Sequence, residues 1–193
     1  LLRVHGQFEQ AAASYSQALA RISGAGSAAL WPIWFARGAS YERLGKWQLA
    51  EKDLLQALKL KPGQPDVLNY LGFTWLTRGE KLQEAHDMIA KALSARPTDP
   101  QIIDSMGWSL YLLGEYEDAA AYMEKAAEFL PSDPTVNDHL GDVYWRQGRK
   151  TEARFQWERA LTFSPDAKTA DIIRQKLKDG LPAMNAAAAR SAP

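Results

Sequence analysis

Small and turn-forming residues recur along this chain with a period of 34 or 35. Glycines fall at Gly38, Gly72, Gly107 and Gly141, and prolines at Pro62, Pro97, Pro131 and Pro165. Alanines keep the same step at Ala50, Ala85, Ala119 and Ala153, and again at Ala57, Ala92, Ala126 and Ala160. Each period holds two stretches with helical spacing of apolar residues, parted by a turn glycine: Gly45, Gly79, Gly114 or Gly148. A helix pair of this length cannot bury its apolar faces alone, so such units stack on their neighbours. The period predicts an all-α chain with four complete units at 31–64, 65–99, 100–133 and 134–167.

The residue choices within a unit have a packing logic. Gly38, Ala50, Ala57 and their equivalents let two helices approach closely, while Trp34, Tyr41 and Leu54 fill the space beside them. Asp99-Pro100 and Asp133-Pro134 each place an N-cap acceptor before a proline at the first helical position. The four periodic prolines discourage continuation of each second helix. Residues 1–23 carry Gly6, Ala11, Tyr15 and Ala18 at second-helix spacing, which predicts the second helix of a truncated repeat, joined by a linker at 24–30. The apolar residues Tyr15, Leu19 and Ile22 are expected to pack on the first full unit or to support self-association. After Pro165 a capping helix is expected over 168–181, with Ile172, Ile173 and Leu177 on its apolar face and its charges in solvent. Residues 182–193 read as a disordered tail.

Composition narrows the function. Twenty-three basic residues balance twenty-three acidic ones among 193, so no global charge draws the chain to nucleic acid or an anionic membrane. The absence of cysteine excludes a disulfide framework, a thiolate metal site and a cysteine nucleophile. The beginning, Leu1-Leu2-Arg3-Val4-His5-Gly6, does not read as a signal peptide, and the expectation is a fragment whose upstream sequence is missing.

The motif strings carry a resemblance. The last unit reads Leu140-Gly141, Tyr144, Ala153, Trp157, Ala160, Pro165, and the third Met106-Gly107, Leu110, Ala119, Met123, Ala126, Pro131. The second reads Leu71-Gly72, Trp75, Ala85, Ile89, Ala92, Pro97, with one extra residue in its Gly79–Leu82 turn. The first keeps Trp34, Gly38, Tyr41, Ala50, Leu54, Ala57 and Pro62 but has Arg37 where Leu is usual. Over 31–167 the chain resembles the tetratricopeptide repeat family. That resemblance implies a right-handed α-solenoid of antiparallel helix pairs, acting as a non-enzymatic scaffold that binds partner segments in a concave groove.

In that family the first helix of each unit lines the groove. The matching positions here are Phe35, Ala39, Glu42 and Arg43; Asp66, Asn69, Phe73 and Thr77; Gln101, Asp104, Trp108 and Tyr111; and Asp138, His139, Asp142, Trp145 and Arg146. Aromatics beside carboxylates suit extended segments carrying apolar side chains and Lys or Arg. The alternative is that the aromatics only bridge adjacent units. Where some relatives grip a C-terminal carboxylate, this chain has Phe35, Ala39, Tyr70, Gln101 and Ser105, so that clamp is not expected.

Chemistry-bearing patterns are sparse, and neither catalysis nor a cofactor or metal is expected. Asp138-His139 with Asp142 places carboxylates near an imidazole, but groove lining explains them and no second His lies nearby in sequence. Arg146, Arg149, Lys150 and Arg154 form a basic cluster interleaved with Asp142, Glu152 and Glu158, which reads as a solvated face rather than a nucleic-acid site. Three strings, Gly107–Tyr111, Asn137–Asp142 and Glu152–Leu161, resemble exported tetratricopeptide proteins of Gram-negative bacteria. Many of those are lipoproteins of the outer membrane, and some resemble adaptors that dock a periplasmic processing protease. The resemblance implies a periplasmic envelope adaptor or assembly factor whose partner is a protease or its substrate, and whose only membrane link is an upstream lipid anchor. The alternatives are a cytoplasmic repeat scaffold, or the repeat array of a larger enzyme with catalysis upstream.

Overall fold

Alternating short helices and glycine turns organise the chain throughout. A computed structural model describes residues 6–22 and 28–182. Among these it contains ten α-helices, one 3-10 turn at Ala28–Leu30 and no strand. The helices are α1 (Phe8–Arg21), α2 (Trp31–Arg43), α3 (Trp47–Leu60), α4 (Pro65–Arg78) and α5 (Leu82–Ala95). They continue as α6 (Pro100–Leu113), α7 (Tyr116–Phe129), α8 (Pro134–Arg146), α9 (Lys150–Thr162) and α10 (Ala167–Asp179). This is the all-α helix-pair arrangement of the α-solenoid class. Residues 24–27 of the expected linker at 24–30 and residues 183–193 of the expected tail lie outside the described residues.

The chain divides into two compact units, Leu1–Leu71 and Gly72–Pro193. In the first, α1 packs on α2 and α2 on α3, so the N-terminal helix is held within the unit. Leu19 is buried there, while Ile22 remains exposed. Arg37 departs from the repeat pattern for a local reason. Its guanidinium donates from Nε to Asp53 Oδ2 at 2.6 Å and from Nη2 to Asp53 Oδ1 at 2.9 Å, a bidentate pair. Asp53 is only 2% exposed, so this ion pair stands inside the α2–α3 contact. The hydrogen bond to Asp53 outweighs partial burial and raises the Arg37 pKa.

In the second unit α6 pairs with α7 and α8 with α9, while α5 touches α6, α7 touches α8, and α9 touches α10. The first helices α6 and α8 also meet directly, so they share one face. The glycine at each helix crossing explains the recurring period. A Cβ on Gly107 would stand 2.9 Å from Met123 Cγ and 3.2 Å from the Ala119 carbonyl; one on Gly141 would stand 2.5 Å from the Trp157 ring. Ala119, Met123, Ala153 and Trp157 are fully buried. Between these pairs, Ile103, Ala126 and Val136 form a core cluster on which Leu93, Tyr122, Ala127 and Leu130 pack.

The caps follow the sequence. Asp99 Oδ1 accepts from the Gln101 and Ile102 amides, and Asp133 Oδ1 from those of Thr135 and Val136. Asp166 caps α10 in the same way through Lys168 and Thr169. The extra residue before α5 leaves Lys81 at φ 47°, with its ammonium 4.3 Å from the centre of the Trp75 ring.

Candidate functional site

Helix periodicity places Trp108 and Tyr111 one turn apart on α6, and α8 supplies His139 opposite them. The Trp108 ring stacks on Tyr111 at 4.7 Å between centroids and on His139 at 4.1 Å, with interplanar angles of 13° and 16°. Phe73, from the part of α4 that belongs to this unit, lies 6.4 Å from the His139 ring. Tyr111 is buried, whereas Phe73 and Trp108 are half-buried.

Asp104 fixes this platform. His139 Nδ1 lies 3.1 and 3.2 Å from the two Asp104 carboxylate oxygens, so Nδ1 carries the proton and donates. Burial works to lower the His139 pKa. The Asp104 charge and hydrogen bond, with Asp138 and Asp142 behind them, reverse this and leave it raised. The Nδ1–H bond to Asp104 thereby holds the imidazole flat against Trp108.

A second cluster lies on the same helix. Lys176 of α10 donates to both oxygens of Asp138 at 2.8 and 2.9 Å and to Asp142 at 2.8 Å. Asp142 also accepts from Trp157 Nε1 at 2.9 Å, which anchors the indole that fills the crossing at Gly141. Burial lowers the Lys176 pKa, but Asp142 and Asp138 prevail and raise it. Burial and the neighbouring Asp138 lift that of Asp142 against the pull of Lys176. Arg146 donates from Nε to the Tyr111 hydroxyl at 3.3 Å and from Nη1 to the Pro182 carbonyl at 2.7 Å. Burial, then Asp142, raises the Tyr111 pKa.

The sequence-predicted residues therefore separate into two groups. Phe73, Asp104, Trp108, Tyr111, Asp138, Asp142, Trp145 and Arg146 come together in the second unit. Three of them differ from expectation: Asp104, Asp138 and Asp142 are buried at 7%, 9% and 4% exposure, Asp104 paired with His139 and the other two with Lys176. Trp145 packs on Trp157 at 5.2 Å, under the Lys150 ammonium and against the backbone at Gly180. The other four belong to the first unit. Phe35 packs edge-on against Tyr70 at 5.5 Å, Glu42 accepts from the Tyr70 hydroxyl at 2.9 Å, and Arg43 lies over Phe8. Asn69 is half-buried there, with Oδ1 lacking a partner.

Sequence reasoning missed Lys176, because α10 was expected to keep its charges in solvent. Instead Ala170 and Ile173 are buried, Ile172 is 47% exposed, and Lys176, one turn beyond Ile173, faces α8. That i, i+3 spacing was the available signal. Among the described residues no group of three or more His, Asp or Glu side chains has a geometry that could hold a metal. No described helix is long and apolar enough to cross a membrane. The arrangement is a rigid aromatic platform backed by charge pairs.

Comparison with known proteins agrees with this architecture. Two tetratricopeptide repeat profiles match residues 31–64 and 105–168, together about half of the chain. The TPR repeat-containing protein PA4667 of Pseudomonas aeruginosa is 37% identical over 94 residues, which are 49% of this chain and 16% of that protein. The chain thus corresponds to a small part of that relative's length. A thermophilic tetratricopeptide repeat protein of Thermus thermophilus superposes with a TM-score of 0.70 at 20% identity, covering 92% of this chain and 94% of its own. The structure of YrrB, described as a TPR protein with an unusual peptide-binding site, superposes with a TM-score of 0.63 at 21% identity, covering 91% and 87%. Helix pairs, crossing glycines, capping aspartates and both profiles agree, and the chain belongs to the tetratricopeptide repeat family.

Proposed function

We propose that this protein is a non-enzymatic scaffold that binds segments of partner proteins on the face formed by its first helices. The observation that carries this is the partly exposed Trp108, stacked on Tyr111 and His139, which are themselves fixed by hydrogen bonds. An aromatic anchored in this way loses little side-chain freedom on binding and desolvates well, the two properties of an interface hot spot. The peptide-binding site named for YrrB is consistent with such use of this fold. Because the carboxylates are paired within the chain, the partner segment is recognised chiefly by apolar and aromatic contact, not by strings of Lys or Arg.

The test is capture of partners with the full chain followed by affinity measurement on the variants. Trp108→Ala weakens binding by about 2 kcal/mol or more, the scale of a hot spot, while far-UV circular dichroism stays unchanged. Arg154→Ala, on α9, binds as wild type. A second reading rests on Phe155, 58% exposed on α9. If Phe155→Ala abolishes binding and Trp108→Ala does not, the partner uses the second-helix surface instead.

We further propose a role in the bacterial envelope, as a periplasmic or outer-membrane-associated adaptor, from the likeness of the strings at 107–111, 137–142 and 152–161 to exported tetratricopeptide proteins. Fractionation of the source cells tests this. Recovery with cytoplasmic proteins would favour a cytoplasmic scaffold, and a catalytic domain on the same polypeptide would favour the larger-enzyme reading.

A further inference from the structure

The segment from Lys176 to Pro182 contacts α8 in the manner of a bound peptide. It offers a basic side chain to two carboxylates, a glycine α-carbon to an indole, and a backbone carbonyl to a guanidinium. At Gly180 the approach is so close that a Cβ would stand 2.0 Å from Trp145 Cζ2. Side-chain charge, an aromatic platform and a main-chain hydrogen bond are the elements by which protein faces recognise peptides.

The helix that delivers this segment is held lightly. Two of the thirteen residues of α10 are buried, Ala170 and Ile173, against nine of the thirteen in α8. Ile172 is 47% exposed, so half of the branched apolar pair at 172–173 contributes little to docking. Elements with few buried apolar residues open at lower free energy than the core they rest on. Polar contacts therefore carry much of the attachment, and these can be exchanged for equivalent contacts from another chain. If α10 leaves, Asp138 and Asp142 lose the cation that balances them, which favours a cationic replacement over a neutral one.

We propose that α10 and residues 180–182 are an exchangeable, intramolecular occupant of a docking site on α8. The external ligand of that site is an amphipathic helical segment carrying a lysine one turn before a glycine. This rests on the reading of the first-helix face as a protein-binding surface. It is tested separately, because its contacts are Asp138, Asp142, Trp145 and Arg146 and not Trp108. In the resting protein α10 competes with the partner. Binding is then weakened by the fraction of molecules in which the site is closed.

A fluorescent peptide with the sequence of residues 167–182 is the probe, titrated into the full-length chain. Lys176→Ala in the protein unlatches α10, and the peptide is expected to bind it at least tenfold tighter than it binds wild type. Gly180→Ala, which presses a methyl group against Trp145 without removing a charge, opens the site by a second route and gives the same direction. Adding Asp138→Asn and Asp142→Asn to the Lys176→Ala protein lowers the affinity at least tenfold. A peptide carrying Glu in place of Lys176 does not bind. In wild type, excess peptide accelerates hydrogen exchange at α10 amides and leaves those of α6 and α7 unchanged. Equal affinity for wild type and both opened variants would overturn the proposal, as would no binding to either variant with helical content intact. Binding that ignores the two carboxylates would do the same.

Discussion

Arg37 stands where the other three complete repeats have Leu71, Met106 and Leu140, and its partner Asp53 stands where they have Met88, Tyr122 and Gln156. A buried pair of this kind is hard to break and easy to replace, because removing one member leaves the other charge uncompensated. Arg37→Leu alone should destabilise the protein by about 3–5 kcal/mol, whereas Arg37→Leu with Asp53→Met should be near neutral or stabilising. Urea unfolding of the two variants checks this, and equal losses would show that the ion pair itself is indispensable. His139 gives a prediction in pH. Its folded pKa is raised above the unfolded value. The stabilisation is thus full below about pH 6.5 and is lost as pH rises through the folded pKa. The stability difference between wild type and His139→Gln should therefore shrink from pH 6 to pH 9, on a scale marked off by that reference value of about 6.5. A difference that stays constant or grows would exclude a protonated His139 in the resting protein.

At the level of elements, capping and crossing residues do separable work. Asp133 satisfies two amides at the start of α8, and Asp133→Ala should cost about 1 kcal/mol, read as a lower unfolding midpoint. Ala119 lies at the α6–α7 crossing, where a Cβ on Gly107 would stand 3.2 Å from its carbonyl. Ala119→Leu overpacks that crossing and should cost about 1–3 kcal/mol. Because α7 also packs on α8, faster hydrogen exchange should appear in α6 and α8 as well as in α7. An unchanged melting curve would contradict the packing described. Helix existence, caps and turns were legible in the sequence because they depend on residues within a few positions of each other. The inward face of α10 was not, since Ile172 and Ile173 look equivalent until α9 is in place to bury only one of them.

Across the molecule, electrostatics work locally. The carboxylates at the α6–α8 face are paired with His139 and Lys176 before any partner arrives. Little field is left to steer a basic partner from a distance, so association should depend only weakly on ionic strength. Stopped-flow association rates at low and physiological salt test this, and a steep fall with salt would mean that the aspartates are open in solution. This differs from the acidic-aromatic groove the sequence suggests, and the difference lies entirely in pairings across 34 to 38 residues: Asp104 with His139, Asp142 and Asp138 with Lys176.

The sequence by itself determined the family, the helix pairs and their turns, because a 34-residue period of glycine, alanine and proline leaves a chain few other ways to bury its apolar residues. It also put Trp108, Tyr111 and Asp104 on one face of α6, since residues three and four apart share a side of a helix. Only the tertiary structure decided which of those residues remain available. Exposure and charge state depend on what another helix brings within hydrogen-bond distance, and periodicity carries no information about a lysine arriving from α10. The five groove positions of α8, Asp138, His139, Asp142, Trp145 and Arg146, therefore read as an acidic-aromatic groove in one dimension and as a charge-paired, partly covered face in three.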